Sequence, residues 1–306
     1  MAIPFVKELD FAYGTIAQLS PLVRRVIARN PSAFTFHGTG TYVVGRPGGR
    51  VAVIDPGPDD DAHIDALLDA LRGDTVSHIL ITHTHRDHSP GAARLKEVTG
   101  APTYAYGPHP LPRGGIAVEE GGDHDFRPDH LLEDGTRLVG DGWTMSALHT
   151  PGHISNHLCF ALEEERALFS GDHVMGWSTT VISPPDGNMT DYYNSLRRLL
   201  PREDRRYYPT HGAPIDERTT GRDPQRFVEA LLAHRMGRET QIIDCLTRNG
   251  PMTIPQMVQR MYADVPSYLH GAAARSVLAH LIHMAAEGRV KAEGDAVDER
   301  AVYRLG

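Results

Sequence analysis

His83-Thr84-His85-Arg86-Asp87-His88 sets four metal-binding side chains within six positions, directly after the apolar run Ile79-Leu80-Ile81. Three imidazoles and a carboxylate on one turn would repel or desolvate one another unless a cation drew them together. The segment constrains the fold as well as the chemistry. A strand must deliver these groups to a bend, and other parts of the chain must bring further ligands to meet them.

Three more segments have the right form. Thr150-Pro151-Gly152-His153 follows an apolar stretch, Ser170-Gly171-Asp172-His173 follows a hairpin, and Tyr208-Pro209-Thr210-His211-Gly212 follows a third apolar segment. Each candidate ligand sits at a strand-to-loop junction beside Gly or Pro, where a bend aims the side chain while the strand holds it. Imidazoles and carboxylates without thiolate suit zinc, and also manganese or iron. The two cysteines, Cys159 and Cys245, lack CxxC spacing, so neither a thiolate site nor a disulfide framework is indicated and a reduced setting is expected.

Turn signals and periodicity order the rest. Strands are expected at 42–44 and 51–54 around Arg46-Pro47-Gly48-Gly49, then a helix opened by Asp59, Asp60 and Asp61 and carrying Ile64, Leu67, Leu68 and Leu71. A strand at 79–82 feeds the histidine turn, and a helix capped by Ser89 with Pro90 at its first position leaves it, stopping at Gly100. Residues 104–135 lack clean periodicity and read as long loops, some overhanging the site. Strands resume at 144–148, 158–162 and 167–169; loop 176–189 precedes a helix opened by Thr190. Beyond Thr219-Thr220-Gly221-Arg222-Asp223-Pro224 the pattern turns helical. Apolar positions from Phe227 to Leu246, from Met257 to Met261 and from Val277 to Ile282 mark three helices, and 289–305 reads as a closing hairpin.

HxHxDH, TPGH, SGD and PTHG, in that order over roughly residues 38–215, resemble the metallo-β-lactamase fold superfamily. The resemblance implies an α/β fold, a four-layer αββα sandwich of two mixed sheets faced by helices, with the site along one edge of the sheets. It also implies that His83, His85 and His153 hold one metal, that Asp87, His88 and His211 hold a second, and that Asp172 bridges them. Two Zn2+ per chain are expected, with Mn2+ or Fe as other candidates. The superfamily's diiron oxidoreductases carry glutamate at the position of His85, so histidine there argues for hydrolysis. Two divalent cations, two aspartates and a bridging hydroxide leave about +1 on the site, enough to hold a developing anion. A metal-bound water, its pKa lowered from 15.7 to about 7, is the expected nucleophile. Asp87 and Asp172 are the expected catalytic carboxylates, Asp87 handing a proton to the leaving group.

Asp55 resembles the aspartate that orients ligand imidazoles in this superfamily, with N-cap of the following helix as the other reading. His149 and His157 are expected around the pocket, His173 as a neighbour of Asp172, and His37, His63, His109, His124 and His234 at the surface.

Ser155-Asn156-His157 after TPGH, Thr179-Thr180-Val181 after the bridging aspartate, and a helical, hairpin-ended C-terminal region resemble the beta-lactamase-like protein 2 family over nearly the whole chain. That implies a winged-helix end, dividing the chain into a hydrolase domain at 1–221 and a winged-helix-like domain at 222–306. It also implies endonuclease action on single-stranded RNA. The other readings are a carboxylic ester, thioester or lactone hydrolase with glyoxalase II-like chemistry, and a non-catalytic nucleic-acid-binding regulator with a structural metal. The formal net charge is −8, and residues 222–306 hold eleven basic and ten acidic groups, so duplex DNA is not an expected partner. Packing or homodimerisation is the expected role of the small domain. With no export signal and no apolar run of spanning length, a cytoplasmic protein without membrane contact is expected.

Overall fold

The structure is a computed structural model and describes residues 3–110, 120–264, 266–294 and 296–306. The chain builds a seven-stranded sheet first: β1 (Ala17–Gln18), β2 (Val23–Ile27), β3 (Gly40–Val44), β4 (Arg50–Ile54), β5 (Thr75–Leu80), β6 (Thr103–Ala105) and β7 (His130–Leu131), paired in chain order. Helices α1 (Asp61–Ala70) and α2 (Gly91–Thr99) are the crossovers that let β4 and β5, and β5 and β6, run parallel. A six-stranded sheet follows, in the spatial order β13-β12-β11-β10-β9-β8: β8 (Arg137–Val139), β9 (Thr144–His149), β10 (Leu158–Leu162), β11 (Ala167–Gly171), β12 (Arg206–Pro209) and β13 (Ile215–Asp216). Helix α3 (Met189–Leu199) crosses between β11 and β12, which pair in parallel.

Strand periodicity makes the layers. Tyr42 and Val44 of β3, Ala52 and Ile54 of β4, and Phe160 and Phe169 of the second sheet interleave in one core between the sheets. Their neighbours Val43, Val51, Val53 and Ile79 face outward, onto Leu67 of α1 and Leu95 of α2. On the far side Cys159, Ala161, Leu168 and Tyr207 meet Tyr192 and Leu196 of α3. The result is the expected αββα sandwich of mixed sheets.

The C-terminal region contains α4 (Glu217–Thr220), α5 (Pro224–Asn249), β14 (Met252–Thr253), α6 (Ile254–Met261), α7 (His270–Ala286), β15 (Val290–Ala292) and β16 (Val302–Leu305). The last three strands pair as β14-β16-β15 and close a winged helix, as expected. Helix α5 belongs to two cores. Phe227, Val228 and Leu231 pack on the second sheet with α3, whereas Ile242 and Leu246 pack with Met257, Val277 and Leu281 of the winged helix.

Three local expectations change. Pro90, without a side-chain cap, precedes α2, because Ser89 Oγ is committed to Asp123 Oδ2 at 2.7 Å. Helix α3 is capped by Asn188, whose side chain accepts from Asp191 N–H, and Thr190 lies inside it. The stretch 104–135 carries the ends of β6 and the whole of β7; part of the overhang expected there, 111–119, lies outside the described residues.

Candidate metal centre

Every expected ligand lies just past the C-terminal end of a strand: His83, His85, Asp87 and His88 after β5, His153 after β9, Asp172 after β11 and His211 after β12. Two glycines make the bends. Gly152 (φ +142°) lies so close to α3 that a Cβ would sit 2.4 Å from Tyr192 Cα, and a Cβ on Gly171 (φ +52°) would sit 2.5 Å from His157 Nε2. Both positions need φ values that only glycine adopts cheaply.

The structure brings all seven residues together. Ligand atoms of His83, His85 and His153 lie within 4.8 Å of one another, as do those of Asp87, His88 and His211 and those of His83, His88 and Asp172. His85 Nδ1 faces His83 Nε2 at 3.0 Å and His153 Nε2 at 3.2 Å. Asp87 Oδ2 lies 3.2 Å from His88 Nε2 and 3.1 Å from His211 Nε2. Asp172 Oδ2 lies between the groups, 3.6 Å from His88, 3.5 Å from His211 and 3.9 Å from His153 Nε2.

Hydrogen bonding on the outer side of the rings shows what this donor set fits. Nδ1–H of His88 donates to Asp55 Oδ2 (2.8 Å), that of His153 to Val181 O (2.7 Å) and that of His211 to Gly38 O (3.1 Å). Each tether therefore turns the Nε2 of its ring inward, the atom a cation would take once its proton is displaced. His88 Nε2 and Asp172 Oδ1 are buried without a hydrogen-bond partner, an expensive arrangement that a cation at the centre resolves.

The two ends differ in charge. Desolvation, with His153 beside it, pushes His85 down to about 3, and desolvation with His88 and His85 nearby holds His83 well below its ordinary range. At the other end burial opposes protonation of His211, but the carboxylates of Asp172 and Asp87 outweigh it and raise it to about 10. His88 is raised well above its ordinary value, since Asp87, Asp172 and Asp55 overcome the same desolvation. Imidazoles alone face one end; at the other, negative charge awaits positive charge.

Asp55 is held at φ +50° with its carbonyl accepting from Thr41 Oγ1 at 2.7 Å. Its carboxylate accepts from Thr82 N–H, Thr82 Oγ1 and His88, so it orients the ring of a candidate ligand; Asp60 caps α1. His157 is fully buried, with Thr150 Oγ1 2.9 Å from Nδ1 and Nε2 accepting from the Asp172 backbone N–H at 3.1 Å. His149 bonds Ser155 O at 2.8 Å and stacks on Tyr106 at 3.9 Å, away from the ligand cluster. His173 is buried beside the Tyr192 ring and joins none of the three ligand groups.

The histidines assigned to the surface need correction. His63 is buried and bonds Thr41 Oγ1 at 2.9 Å, because α1 packs directly over β3 and β4. His109 is half-buried, bonded to Thr84 Oγ1 at 3.0 Å, with its ring 6.4 Å from that of His85. His37, His124 and His234 are likewise half-buried, His37 against Phe36 and Phe11 and His124 against His109.

Sequence reasoning also missed Arg25, whose buried guanidinium donates to Gly212 O at 2.9 Å and braces the His211 turn. Arginines within a strand carry no spacing signal. Asn156, by contrast, lay within a quoted motif, and its amide ties the TPGH loop to Thr84 Oγ1 at 2.8 Å.

Known proteins match the chain in both parts. Residues 35–211 match the Metallo-beta-lactamase superfamily, and residues 253–300 match the Beta-lactamase associated winged helix domain. A beta-lactamase-like protein 2 homolog of Caenorhabditis elegans is 32% identical over 282 residues, covering 90% of this chain and 88% of its own length. An atrochrysone carboxyl ACP thioesterase of Cryptosporiopsis sp. (strain 8999) is 32% identical over 269 residues, covering 81% of this chain and 74% of its own. A beta-lactamase domain protein from Burkholderia ambifaria has the same fold, with a TM-score of 0.80, 22% identity, and coverage of 98% of this chain and 96% of its own. Ligands converging on strand ends, the sandwich beneath them and the winged helix behind agree with these matches: the chain belongs to the metallo-β-lactamase superfamily of metal-dependent hydrolases and carries that superfamily's associated winged helix.

Proposed function

We propose that this protein is a dinuclear zinc hydrolase of acyl thioesters or carboxylic esters. In this reading His83, His85 and His153 would hold one ion and Asp87, His88 and His211 the other, with Asp172 as a further ligand. The observation that carries it is the convergence of outward-tethered imidazoles and two carboxylates on one buried centre. Bound there, the ions would supply Lewis acidity and ionise a water near neutral pH.

The chain's own residues supply position and proton management. His88, His153 and His211 are locked in one tautomer by Asp55, Val181 and Gly38. Asp87, 3.2 Å from His88 and 3.1 Å from His211, would take the proton released by the attacking water and return it to the departing thiol or alcohol. A carbonyl substrate of low charge suits a chain of net charge −8, which repels polyanions. The thioesterase activity named for the Cryptosporiopsis relative supports the same class.

Cleavage of single-stranded RNA is the second reading, and one surface favours it. Phe36 stacks on Trp177 at 4.6 Å, His37 and Phe11 extend the aromatic run to Tyr13, and Arg29 lies 4.8 Å over the Tyr13 ring. Trp177 packs against Gly212, next to His211, so bases stacked on this run would approach the centre.

One panel separates these readings. Metal-analysed protein is assayed on an acyl thioester, a carboxylic ester, a lactone, a β-lactam and single-stranded RNA, each against Asp172→Ala. Thioester or ester turnover is expected, falling by roughly a thousandfold, equivalent to about 4 kcal/mol, in the variant. Turnover of RNA alone would transfer the assignment to the second reading. A folded variant with full activity would remove Asp172 from the centre.

A further inference from the structure

The loop that runs from Asp172 to Val181 is fastened at several points. Thr180 Oγ1 donates to Asp172 O at 2.7 Å and to His173 O at 3.0 Å, and Tyr192 OH donates to His173 O at 3.2 Å. The adjacent Val181 O receives His153 Nδ1–H at 2.7 Å. One loop therefore sets the backbone of one candidate ligand and the ring orientation of another. The residue that holds this loop from outside the sandwich is Arg235, midway along α5. Its guanidinium Nη2 donates to Thr180 O, and its Cζ lies 5.5 Å over the Tyr192 ring.

Arg235 is 3% exposed, and its Nε has no partner. A buried guanidinium on a carbonyl oxygen costs desolvation, and an apolar side chain of similar volume would fill the same space with less loss. Packing alone does not account for an arginine here. Its hydrogen bond to the carbonyl of the residue just before the one that fixes His153 does.

We propose that Arg235 is a positioning residue of the metal centre. From the helix shared with the C-terminal module it fixes the Thr180–Val181 segment, and through that segment the His153 ring and the Asp172 carboxylate. The proposal rests on the metal-centre reading above and assigns the C-terminal region a direct part in metal retention.

The test uses the full chain, stripped by chelator and titrated with Zn2+ against a competing chromophoric chelator. Arg235→Met, which keeps the aliphatic stem, is expected to weaken Zn2+ binding ten- to hundredfold, the range for lost partners of metal ligands, with its circular dichroism spectrum retained. Arg235→Lys should recover part of that loss. Thr180→Val, which removes the hydroxyl from the same loop, should combine with Arg235→Met less than additively. Folded Arg235→Met protein with wild-type Zn2+ affinity overturns the proposal. If Arg235→Met does not fold, the single variants Arg235→Lys and Thr180→Val decide, and wild-type affinity in both overturns it equally. Wild-type protein that takes up no Zn2+ would instead sink the metal-centre reading.

Discussion

At the strand ends, five imidazoles and two aspartates converge, and among the described residues these ligand groups contain no arginine or lysine. At the junction of α3, α5 and α7 another histidine–carboxylate group assembles around Glu239, and there the chain supplies its own cation. Arg289 Nη1 donates to Glu239 Oε2 at 2.5 Å and to Glu287 Oε2 at 3.0 Å, and Tyr193 OH donates to Glu239 Oε1 at 2.9 Å. His280 Nδ1 lies 3.4 Å and His283 Nε2 3.7 Å from the same carboxylate. Glu239, His283 and Glu287 also bring their ligand atoms within 4.8 Å, so proximity alone does not separate the two groups. What separates them is whether an arginine already occupies the place of the ion.

The largest effect is expected of Asp55→Ala. Without that carboxylate the His88 ring loses its tether, and Zn2+ affinity is expected to fall ten- to hundredfold in a chelator competition titration. Unchanged affinity would show that outer tethering does not define the first group. Glu239→Gln should do the reverse: lower stability by about 1–3 kcal/mol in urea unfolding, with Zn2+ affinity unchanged. The partial exposure of Arg289 keeps the loss from being larger.

The same variant should alter the acid limb of the stability profile. Burial alone would raise the Glu239 carboxyl, but hydrogen bonds from His280, Arg289 and Tyr193 hold it at about 2, against 4.5 unfolded. Desolvation holds His280 at about 4, against 6.5. Both groups bind protons more readily when unfolded, so their stabilisation is complete above pH 6.5 and is lost progressively as the pH falls through 4 towards 2. Thermal unfolding of Glu239→Gln should therefore depend less on pH between 4.5 and 3 than that of the wild type; parallel profiles in that window would place the acid sensitivity elsewhere. The smallest effect is expected of Thr190→Val, which removes the 2.8 Å contact with His283 Nδ1 on the partly exposed side. A loss of about 0.5–1 kcal/mol would fit a peripheral role, and one as large as that of Glu239→Gln would make α3 a full member of the junction.

Most of the candidate site was legible because its residues are contiguous with strand-ending turns: HxHxDH, TPGH, SGD and PTHG each pair a candidate ligand with a bend. Strand β2 was not legible. Arg24 and Arg25 break its apolar pattern, yet both are buried, one on Asp74 at 2.9 Å and the other on Gly212 O. Their partners lie far away in sequence, which periodicity cannot see. His63 and His109 escaped for a similar reason, since burial by a distant segment leaves no local signature. The start of α2 was misread because Ser89, a good capping residue, found a stronger acceptor in Asp123. Arg235 gave no signal at all: within a helix of ordinary composition, nothing marks the arginine that reaches another module.

Helix α5 sets a limit on how this chain can be shortened. A fragment ending at residue 221 would keep all seven candidate ligands but expose Leu168, Tyr192 and Leu196, whose cover includes Phe227, Val228 and Leu231. It would also lose the support that Arg235 gives to Thr180. A minimal hydrolase should therefore be cut after Asn249, where α5 ends, so that the outer wall of the sandwich stays with the enzyme, and Ile242 and Leu246, stripped of the winged helix, would need polar replacements.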